Sequence, residues 1–286
     1  MNRRNAPHTA VVPQRPGRVP AAALLVVAAS LAGCQKVISV DLNNANPQMV
    51  TEAVVTDLPG PYTVTLSLSG DYFTPSLYFP PVTGAFVNIA DNAGTSDTLR
   101  ELAPGTYHTS SLRGIPGRTY VLRVIASGKE YDAVSTMPAR VPIDTVVALH
   151  GREADGDQVY NLYVIFRDPP EPGNFYRINL RTSVPISPDS IDGRRYHLYD
   201  DRLTNGNEAA VRIRMRNYFS PGDTVWVDLL SIDKASYDYF NTLSDILTSD
   251  RSPTSLAPAN PNTNLTNGSL GYFSAYSMDS RIVILP

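Results

Sequence analysis

The sequence predicts a mainly β protein built as two antiparallel β-sandwich domains, the second of which carries one amphipathic helix. Polar and apolar residues alternate with a period of two over several short segments, as is typical of half-buried strands. Glycine and proline account for 18 and 24 of the 286 residues and recur between these segments as turn residues. A helical spacing of apolar residues occurs convincingly in one segment alone, so strands dominate the prediction.

An apolar run near the N-terminus predicts the location of the protein. Arginines without acidic residues precede the run, and residues 21–32 (AAALLVVAASLA) are shorter than the roughly 20 residues that span a bilayer. Residues 31–34 (LAGC) then match a lipobox, the signal at which a bacterial lipoprotein is cleaved and lipidated. Cys34 is the single cysteine of the chain. We therefore expect a signal peptide over 1–33, lipidation of Cys34 and a tether over 34–48.

Lipidation of Cys34 predicts a body that is held at a membrane. Stable anchoring takes more than one acyl chain, a condition that a diacylated or triacylated cysteine meets. Gln35 stands where an inner-membrane retention signal favours aspartate. Outer-membrane sorting is therefore expected, on either the periplasmic or the surface face.

The charge of the predicted mature chain argues against a nucleic-acid partner. The leader holds four of the 24 basic residues and none of the 27 acidic residues, which leaves 20 basic against 27 acidic residues and a net charge of −7. A nucleic-acid partner requires a basic face that neutralises phosphates. The composition predicts instead a loop-rich β protein without disulfides.

The first sandwich is predicted over 49–138. Its strand candidates are residues 63–68 (TVTLSL), 85–89 (AFVNI), 119–126 and 129–137. Residues 91–94 (DNAG) form a turn signal, and Ser127 with Gly128 predicts a hairpin between the last two candidates. Short, evenly spaced strands without intervening helices favour an antiparallel sandwich.

The second domain is predicted over 143–286, after a proline-flanked hinge at 138–142 (PARVP). Its strand candidates are residues 159–167, 175–181, 210–215, 224–230 and 270–285. Apolar residues recur at intervals of three and four at Tyr237, Phe240, Leu243 and Leu247. This spacing, preceded by capping oxygens at 231–233, predicts the helix over about 233–248.

Several segments spread over the mature chain resemble a known family. They are GPYTVTLS at 60–67, GIPGRTY at 114–120, SIDK at 231–234 with YDY at 237–239, and GYFSAYS at 271–277. Together with the lipobox, they resemble the Bacteroidota lipoproteins grouped as domain-of-unknown-function family 4249. The resemblance implies an outer-membrane lipoprotein, often encoded near TonB-dependent receptors, and implies no established activity or catalytic residues.

The first domain also resembles transthyretin-like and carboxypeptidase-regulatory-like sandwiches. The shared pattern is AFVNI at 85–89, PGTY at 104–107 and PGRTYVL at 116–122. This resemblance implies an Ig-like or transthyretin-like sandwich over 49–138.

Residues suited to metal binding are scattered along the chain. His108, His150 and His197 are far apart and lack the spacing of a zinc motif. Asp155 and Asp157 flank a glycine but lack the further ligands of a calcium-binding loop, so a turn is favoured. The sequence predicts neither a metal nor a cofactor.

Four carboxylates offer the remaining catalytic candidates. Asp168 and Glu171 could pair with Asp200 and Asp201 as acid and base across a groove, although acids at strand ends are usually solvated. The chain has neither a nucleophile elbow nor a phosphate-binding glycine loop. The sequence therefore predicts a protein without enzymatic activity.

A strand of alternating arginines is the first candidate for partner binding. In residues 211–216 (VRIRMR), Arg212, Arg214 and Arg216 share one face while the apolar residues point to the core. This row suits an acidic partner surface or an anionic ligand. A charged strand that resists edge pairing is the alternative interpretation.

An aromatic loop is the second candidate. Residues 71–81 (DYFTPSLYFPP) place Tyr72, Phe73, Tyr78 and Phe79 between two strands. Apolar rings in a loop favour a partner or sugar-stacking contact, or else a loop that folds back over the sandwich.

These observations predict a non-enzymatic binding or accessory lipoprotein of the outer membrane. The family resemblance suggests cooperation with a TonB-dependent receptor in nutrient uptake. A surface structural or adhesive protein is the alternative, and a cryptic hydrolase would require its histidines to converge with carboxylates. Four segments also match an O-glycosylation pattern or a turn that enters a strand: residues 97–99, 144–146, 189–191 and 223–225.

Overall fold

The computed structural model describes residues 47–70, 79–152, 158–184, 196–216, 219–249 and 260–286. Within these ranges the chain is mainly β, with several antiparallel sheets and a single α-helix, which confirms the predicted fold class. Residues 44–286 form one compact unit. Among the described helices, none has the length and apolar character needed to span a membrane. Cys34 and the predicted leader lie outside the described residues.

Fifteen strands, one 3-10 helix and one α-helix are formed in the described ranges. The strands of the first half are β1 Met49–Thr56, β2 Thr63–Leu68, β3 Phe86–Asp91, β4 Ser96–Thr98, β5 Arg100–Ala103, β6 Thr106–His108, β7 Thr119–Ala126 and β8 Lys129–Thr136. The second half contains β9 Ile143–Arg152, β10 Gln158–Arg167, β11 Phe175–Thr182, β12 Tyr196–Asp200, the 3-10 helix Asp201–Leu203, β13 Glu208–Arg216, β14 Thr224–Ile232, α1 Lys234–Ser249 and β15 Leu270–Ile284.

The strands form three sheets, and the long strand β15 joins the two halves of the largest sheet. The largest sheet has the order β12-β11-β14-β15-β1-β2-β6-β5, and the smaller sheets have the orders β4-β3-β7-β8 and β13-β10-β9. Residues 270–276 of β15 pair in parallel with β1, whereas residues 277–284 pair antiparallel with β14. Alternation carries no information about strand direction, so the sequence does not predict this parallel pair.

Both hydrophobic cores lie on the same face of the eight-stranded sheet. Phe273 of β15 belongs to the first core, which the four-stranded sheet covers. Val283, ten residues further along the same strand, packs against the second core under the three-stranded sheet. Because side chains at even separations point the same way, the two small sheets lie side by side on the large sheet.

The two cores divide near the predicted hinge, but the C-terminal segment contributes to both. Met137 belongs to the first core and Val141 to the second. Leu265 and Phe273, however, pack with the N-terminal strands. The segment predicted to close the second domain is therefore also part of the first sandwich.

The helix α1 packs on the opposite face of the eight-stranded sheet. Its bounds, Lys234–Ser249, are displaced by one residue from the predicted 233–248. Asp233 caps it by accepting a hydrogen bond from the Ser236 backbone N at 2.9 Å, as its position predicts. Phe240 is 4 % exposed, and its ring lies 4.9 Å from the ring of Tyr272 on β15. Tyr272 adjoins Phe273 in sequence and so faces away from the cores.

Candidate partner-binding surface

Arg212 and Arg214 of β13 lie on the solvent side of their strand. Ile213 and Met215, which alternate with them, are fully buried in the second core. Arg212 is exposed and Arg214 is half-buried, so outward arginines alternate with inward apolar residues as the sequence predicts. Arg216 pairs with Val159 at the end of the strand.

An apolar stripe runs beside these arginines. Across the three-stranded sheet, Arg212 pairs with Tyr163, which pairs with Val147. Two residues further along β13, on the same face, Arg214 pairs with Asn161, which pairs with Leu149. Val147 and Leu149 are 38 % and 52 % exposed, as are several other aliphatic side chains on the strands of this protein. Arg212, Arg214, Tyr163, Val147 and Leu149 together form what we call the arginine–apolar surface.

The charges on this sheet face are unevenly distributed. Glu208 pairs with Arg167 at one end of β13, where opposite charges face each other. Among the described residues, no ion pair involves Arg212. With respect to the described carboxylates, the exposed guanidinium of Arg212 therefore keeps its donors available to an incoming anion.

The predicted aromatic loop is described only at its end. Tyr72, Phe73 and Tyr78 lie outside the described residues. Phe79 is 53 % exposed. A Cβ added to Gly70 would lie 3.2 Å from the Phe79 ring, so the ring lies against that glycine. The Leu68 backbone N donates to Pro80 O at 2.9 Å, which ties the following residues to β2, in the first sandwich. Phe79 and the arginines thus belong to different sandwiches.

Two of the predicted catalytic carboxylates hold loops together. Asp168 is 2 % exposed and accepts hydrogen bonds from Tyr176 Oη and from the Gly206 backbone N, the latter at 3.1 Å. Asp201 is 4 % exposed and accepts from the backbone N atoms of Gly173 and Asn174 at 2.6 and 2.9 Å. Buried acceptors that are bonded in this way stabilise the turns beside β11 and β13.

Asp200 lies on the other side of the sheet from the buried acids and joins β12 to α1. Arg202 donates to its carboxylate from Nε and Nη2 at 2.8 and 2.9 Å, and Tyr237 Oη donates at 3.0 Å. The hydrogen bond from Arg202 lowers the pKa of Asp200, although partial desolvation acts in the opposite direction. In turn, burial and this carboxylate raise the pKa of Tyr237 to about 12. The arrangement is a surface clamp between strand and helix.

The histidines lie on separate strands. His108 is on β6 and His197 is on β12, six strand positions apart in the eight-stranded sheet, or roughly 29 Å at about 4.8 Å per strand. His150 is on β9 of another sheet, where its ring lies 5.0 Å from that of Tyr160. Over the part of the chain that is described, no group of three or more histidines, cysteines or carboxylates is close enough to hold a metal ion.

The four candidate glycosylation segments differ in their environment. Thr98 and Thr145 are exposed, whereas Thr224 is half-buried. Residues 189–191 and the predicted turn at 155–157 lie outside the described ranges. Asp97 is 4 % exposed and accepts from the backbone N atoms of Ser110 and Leu112, so it anchors the loop after β6.

An arginine–aromatic cluster under α1 was not predicted from the sequence. The guanidinium carbon of Arg177 lies 3.9 Å from the ring centre of Phe240 and 4.9 Å from that of Tyr196. Tyr196 Oη also donates to Phe240 O at 2.8 Å. These contacts hold β11, β12 and α1 together by cation–π and hydrogen-bond interactions. Arg177 alternates with buried Tyr176 and Ile178, which is the local signal for its outward position.

The segments that carry the family resemblance meet in space. The Gly114 backbone N donates to Tyr62 Oη at 2.8 Å, which joins the GIPGRTY and GPYTVTLS segments. Ser236 Oγ donates to Ser274 Oγ at 2.8 Å, which joins the start of α1 to the GYFSAYS segment. These contacts are structural, because each pair ties one element to another inside the fold.

Two open grooves lie at one end of the first sandwich. Both are lined by Pro47, Met49, Lys129 and Tyr131, and the larger has a volume of about 420 Å³. They lie at the start of β1 and beside the β7–β8 hairpin. Neither groove is lined by a carboxylate or a histidine, and the titratable side chains that line both are Lys129 and Tyr131.

Comparisons with known proteins give one broad match. The model of a family described as "Domain of unknown function (DUF4249)" matches residues 35–282. A comparison with curated proteins finds no match. Among solved structures, a segment of two fibronectin type III domains from chicken tenascin is 13 % identical, with a TM-score of 0.21, 66 % of this chain covered and 92 % of that chain. The adhesin InvE of Yersinia pseudotuberculosis is 19 % identical, with a TM-score of 0.21 and coverages of 66 % and 56 %. These low TM-scores support no inference about function.

Proposed function

The chain belongs to the family of domain of unknown function DUF4249, and we propose that it is a lipid-anchored cell-envelope protein that binds a partner without catalysing a reaction. The anchor is the lipidated Cys34, as the lipobox at 31–34 indicates. The two sandwiches then form the folded part of the protein, which binds the partner. The outer membrane is the proposed location, because Gln35 follows the cysteine.

The arginine–apolar surface is the observation that carries the binding role. Exposed apolar side chains that lie beside arginines on one sheet face are suited to contact with a partner surface. Arginine and tyrosine are also the residue types that contribute most at protein interfaces. Arg212 and Tyr163 supply both types on adjacent strands.

A non-enzymatic role is supported by how the carboxylates are used. The carboxylate oxygens of Asp168 and Asp201 accept hydrogen bonds that hold loops in place. Among the described residues the histidines lie on three different strands, and His108 and His197 are too far apart to act in one catalytic group. No reaction is therefore proposed for this protein.

The proposed partner is a TonB-dependent receptor of the outer membrane, with which this protein cooperates in nutrient uptake. This proposal rests on the family context that the sequence resemblance implies. The decisive experiment is affinity purification of the full chain from detergent-solubilised membranes. Recovery of a receptor in stoichiometric amounts is expected, and recovery of no envelope protein would overturn the partnership. Binding to glycans or host matrix without a receptor would favour the adhesive alternative.

The anchor has its own test. Replacing Cys34 by serine removes the acylated thiol, so we expect the body to move from the membrane fraction to the soluble envelope fraction. Gln35→Ala is the matched control, because it leaves the cysteine in place and should stay with the membrane. A Cys34→Ser protein that remains tightly membrane-bound would contradict the proposed attachment.

A further inference from the structure

Within the described ranges, the strand β13 has one long edge that pairs with no other strand. It is the first strand in the order β13-β10-β9, and all nine of its residues, Glu208–Arg216, pair with β10. Among the described residues no strand pairs with its other edge. In an antiparallel ladder about half of the backbone N–H and C=O groups point away from the neighbour, so β13 offers these groups to another chain.

The two faces of this open strand differ sharply in chemistry. Ile213 and Met215 are fully buried in the second core, and half-buried Val211 packs against that core. Arg212 and Arg214 point to the opposite, solvent-facing side. A strand added beside β13 would continue both faces, because its side chains alternate with the same period.

We infer that β13 accepts an extended acidic segment of the partner protein as an added strand. Carboxylates at alternate positions of that segment lie opposite Arg212 and Arg214, and the apolar residues between them extend the second core. Backbone hydrogen bonds supply affinity and the alternating side chains supply selectivity, as in other cases of strand addition. This inference rests on the proposed binding function and specifies the chemistry of the partner.

Charge complementarity determines which chain can pair with the open edge of β13. Residues directly opposite on neighbouring strands have Cβ atoms about 4.5–5.5 Å apart, where opposite charges attract and like charges repel. A second copy of β13 in register would therefore place arginine against arginine, and charged edges of this kind resist such self-pairing. An acidic strand instead places carboxylates opposite the arginines, where opposite charges attract. The same row thus excludes a second copy and selects an acidic segment.

The charge of the whole chain sharpens this selectivity. The predicted mature chain has a net charge of −7, so an acidic segment is repelled by the protein as a whole. Attraction is confined to the arginines, because exposed charges are screened beyond about 8 Å at physiological ionic strength. Binding therefore requires the segment to lie along β13 itself.

A peptide experiment tests the inference with the full lipidated chain in detergent. The probe is the synthetic peptide EVEVEVE-amide with fluorescein on its N-terminus, whose binding is measured by fluorescence anisotropy. We expect saturable binding that the double variant Arg212→Glu/Arg214→Glu weakens by at least about tenfold, since each reversal replaces an attraction by a repulsion. Hydrogen exchange on the same sample should show protection of the backbone amides of residues 208–216.

Two controls separate the charge effect from the backbone effect. Arg100→Glu reverses an exposed arginine on β5, the edge strand of the eight-stranded sheet, and should leave the affinity within about twofold. A peptide of the same sequence with every backbone amide N-methylated keeps its charge but loses the donors on both edges, so it should not bind. If the double variant folds poorly, Arg212→Gln/Arg214→Gln replaces it, with a smaller expected loss of affinity.

Several outcomes would overturn the inference. These are no binding of the acidic peptide, equal binding of the N-methylated peptide, or equal binding by the folded double variant. Copurification keeps this result separate from the proposed function. A receptor recovered equally by the wild type and the double variant contradicts strand addition alone, whereas peptide binding without any copurified envelope protein contradicts the proposed receptor partnership alone.

Discussion

The carboxylate of Asp233 connects α1 to the junction of the two sandwiches through Ser135. Ser135 Oγ donates to Asp233 Oδ2 at 2.7 Å and accepts from the Ala275 backbone N at 2.8 Å. The other carboxylate oxygen caps α1 at Ser236. Ala275 lies close to the point where β15 changes its neighbour from β1 to β14. One aspartate therefore fixes a strand, a helix and the shared strand relative to each other.

Removal of this carboxylate should destabilise the fold. In Asp233→Ala, α1 loses its cap, and Ser135 and the Thr136 backbone N lose an acceptor. A lost cap costs about 1 kcal/mol and an unsatisfied buried donor costs about 1–3 kcal/mol, so we expect a loss of about 2 kcal/mol. Urea denaturation followed by far-UV circular dichroism measures the change.

The control is an aspartate on the same helix. Asp238 pairs with Lys234 at 2.6 Å, and its side chain is 41 % exposed. Exposed pairs of this type contribute about 0.3–0.5 kcal/mol, so Asp238→Ala should have little effect. Equal losses for Asp233→Ala and Asp238→Ala would show that the connection through Ser135 contributes nothing measurable.

The close approach at Gly114 should not tolerate a side chain. A Cβ added there would lie 2.6 Å from the Thr56 carbonyl carbon and 2.9 Å from Met137 Cε. Relief of that overlap must move β1 or the loop before β7, so Gly114→Ala should cost at least about 2 kcal/mol. In Gly151→Ala the nearest atom, Val159 Cγ1, is 3.6 Å away, and thermal unfolding should be nearly unchanged. Similar melting temperatures for both variants would contradict the packing at Gly114.

The buried carboxylate of Asp97 should make stability depend on acid pH. Burial raises its pKa, but hydrogen bonds from Ser111, Leu112 and Ser110 outweigh this effect and hold the pKa below its usual value. A carboxylate with a lowered pKa in the folded state stabilises the fold above its unfolded pKa of about 3.9. This contribution disappears as the pH falls through the lower folded-state pKa.

The measurement compares unfolding free energies with pH. Asp97→Asn should be less stable than the wild type by about 2 kcal/mol at pH 7, since the asparagine side chain offers a single acceptor oxygen to several donors. The difference should shrink as the pH falls below about 4. Asp144→Asn removes an exposed carboxylate on β9 and should leave the wild-type profile in place. A wild-type profile that Asp97→Asn reproduces throughout would count against this role.

Much of the local structure was predictable because its causes are local. Residues 63–68 and 119–126 coincide with β2 and β7, since strict alternation and adjacent turns define them. Ser127 and Gly128 have φ values of 52° and 74°, as a tight hairpin requires. The row containing Arg212 and Arg214 also followed from alternation alone. These features depend on residues that are neighbours in the sequence.

The features that escaped prediction depend on distant pairing. In β9, residues 146–149 (VVAL) are apolar on both faces, so the period-two signal that identifies a half-buried strand is lost. The apolar half of the arginine–apolar surface was therefore missed as well. The pairing of β15 with both β1 and β14 was not predicted, because alternation assigns a residue to a face but does not identify the neighbouring strand. Asp168 resembled a catalytic acid until its partner Tyr176 was placed beside it.

The pair of Tyr176 and Asp168 gives the last prediction. Tyr176 is 1 % exposed and donates its hydroxyl to the buried carboxylate, and burial together with that carboxylate raises the pKa of Tyr176. Tyr176→Phe leaves the charged acceptor without this donor, so we expect a loss of about 2 kcal/mol. Tyr163→Phe, on the half-buried outer face of β10, should change the unfolding free energy by less than about 0.5 kcal/mol. A double-mutant cycle with Asp168→Asn isolates the interaction, and a coupling energy near zero would show that the bond does not stabilise the loop.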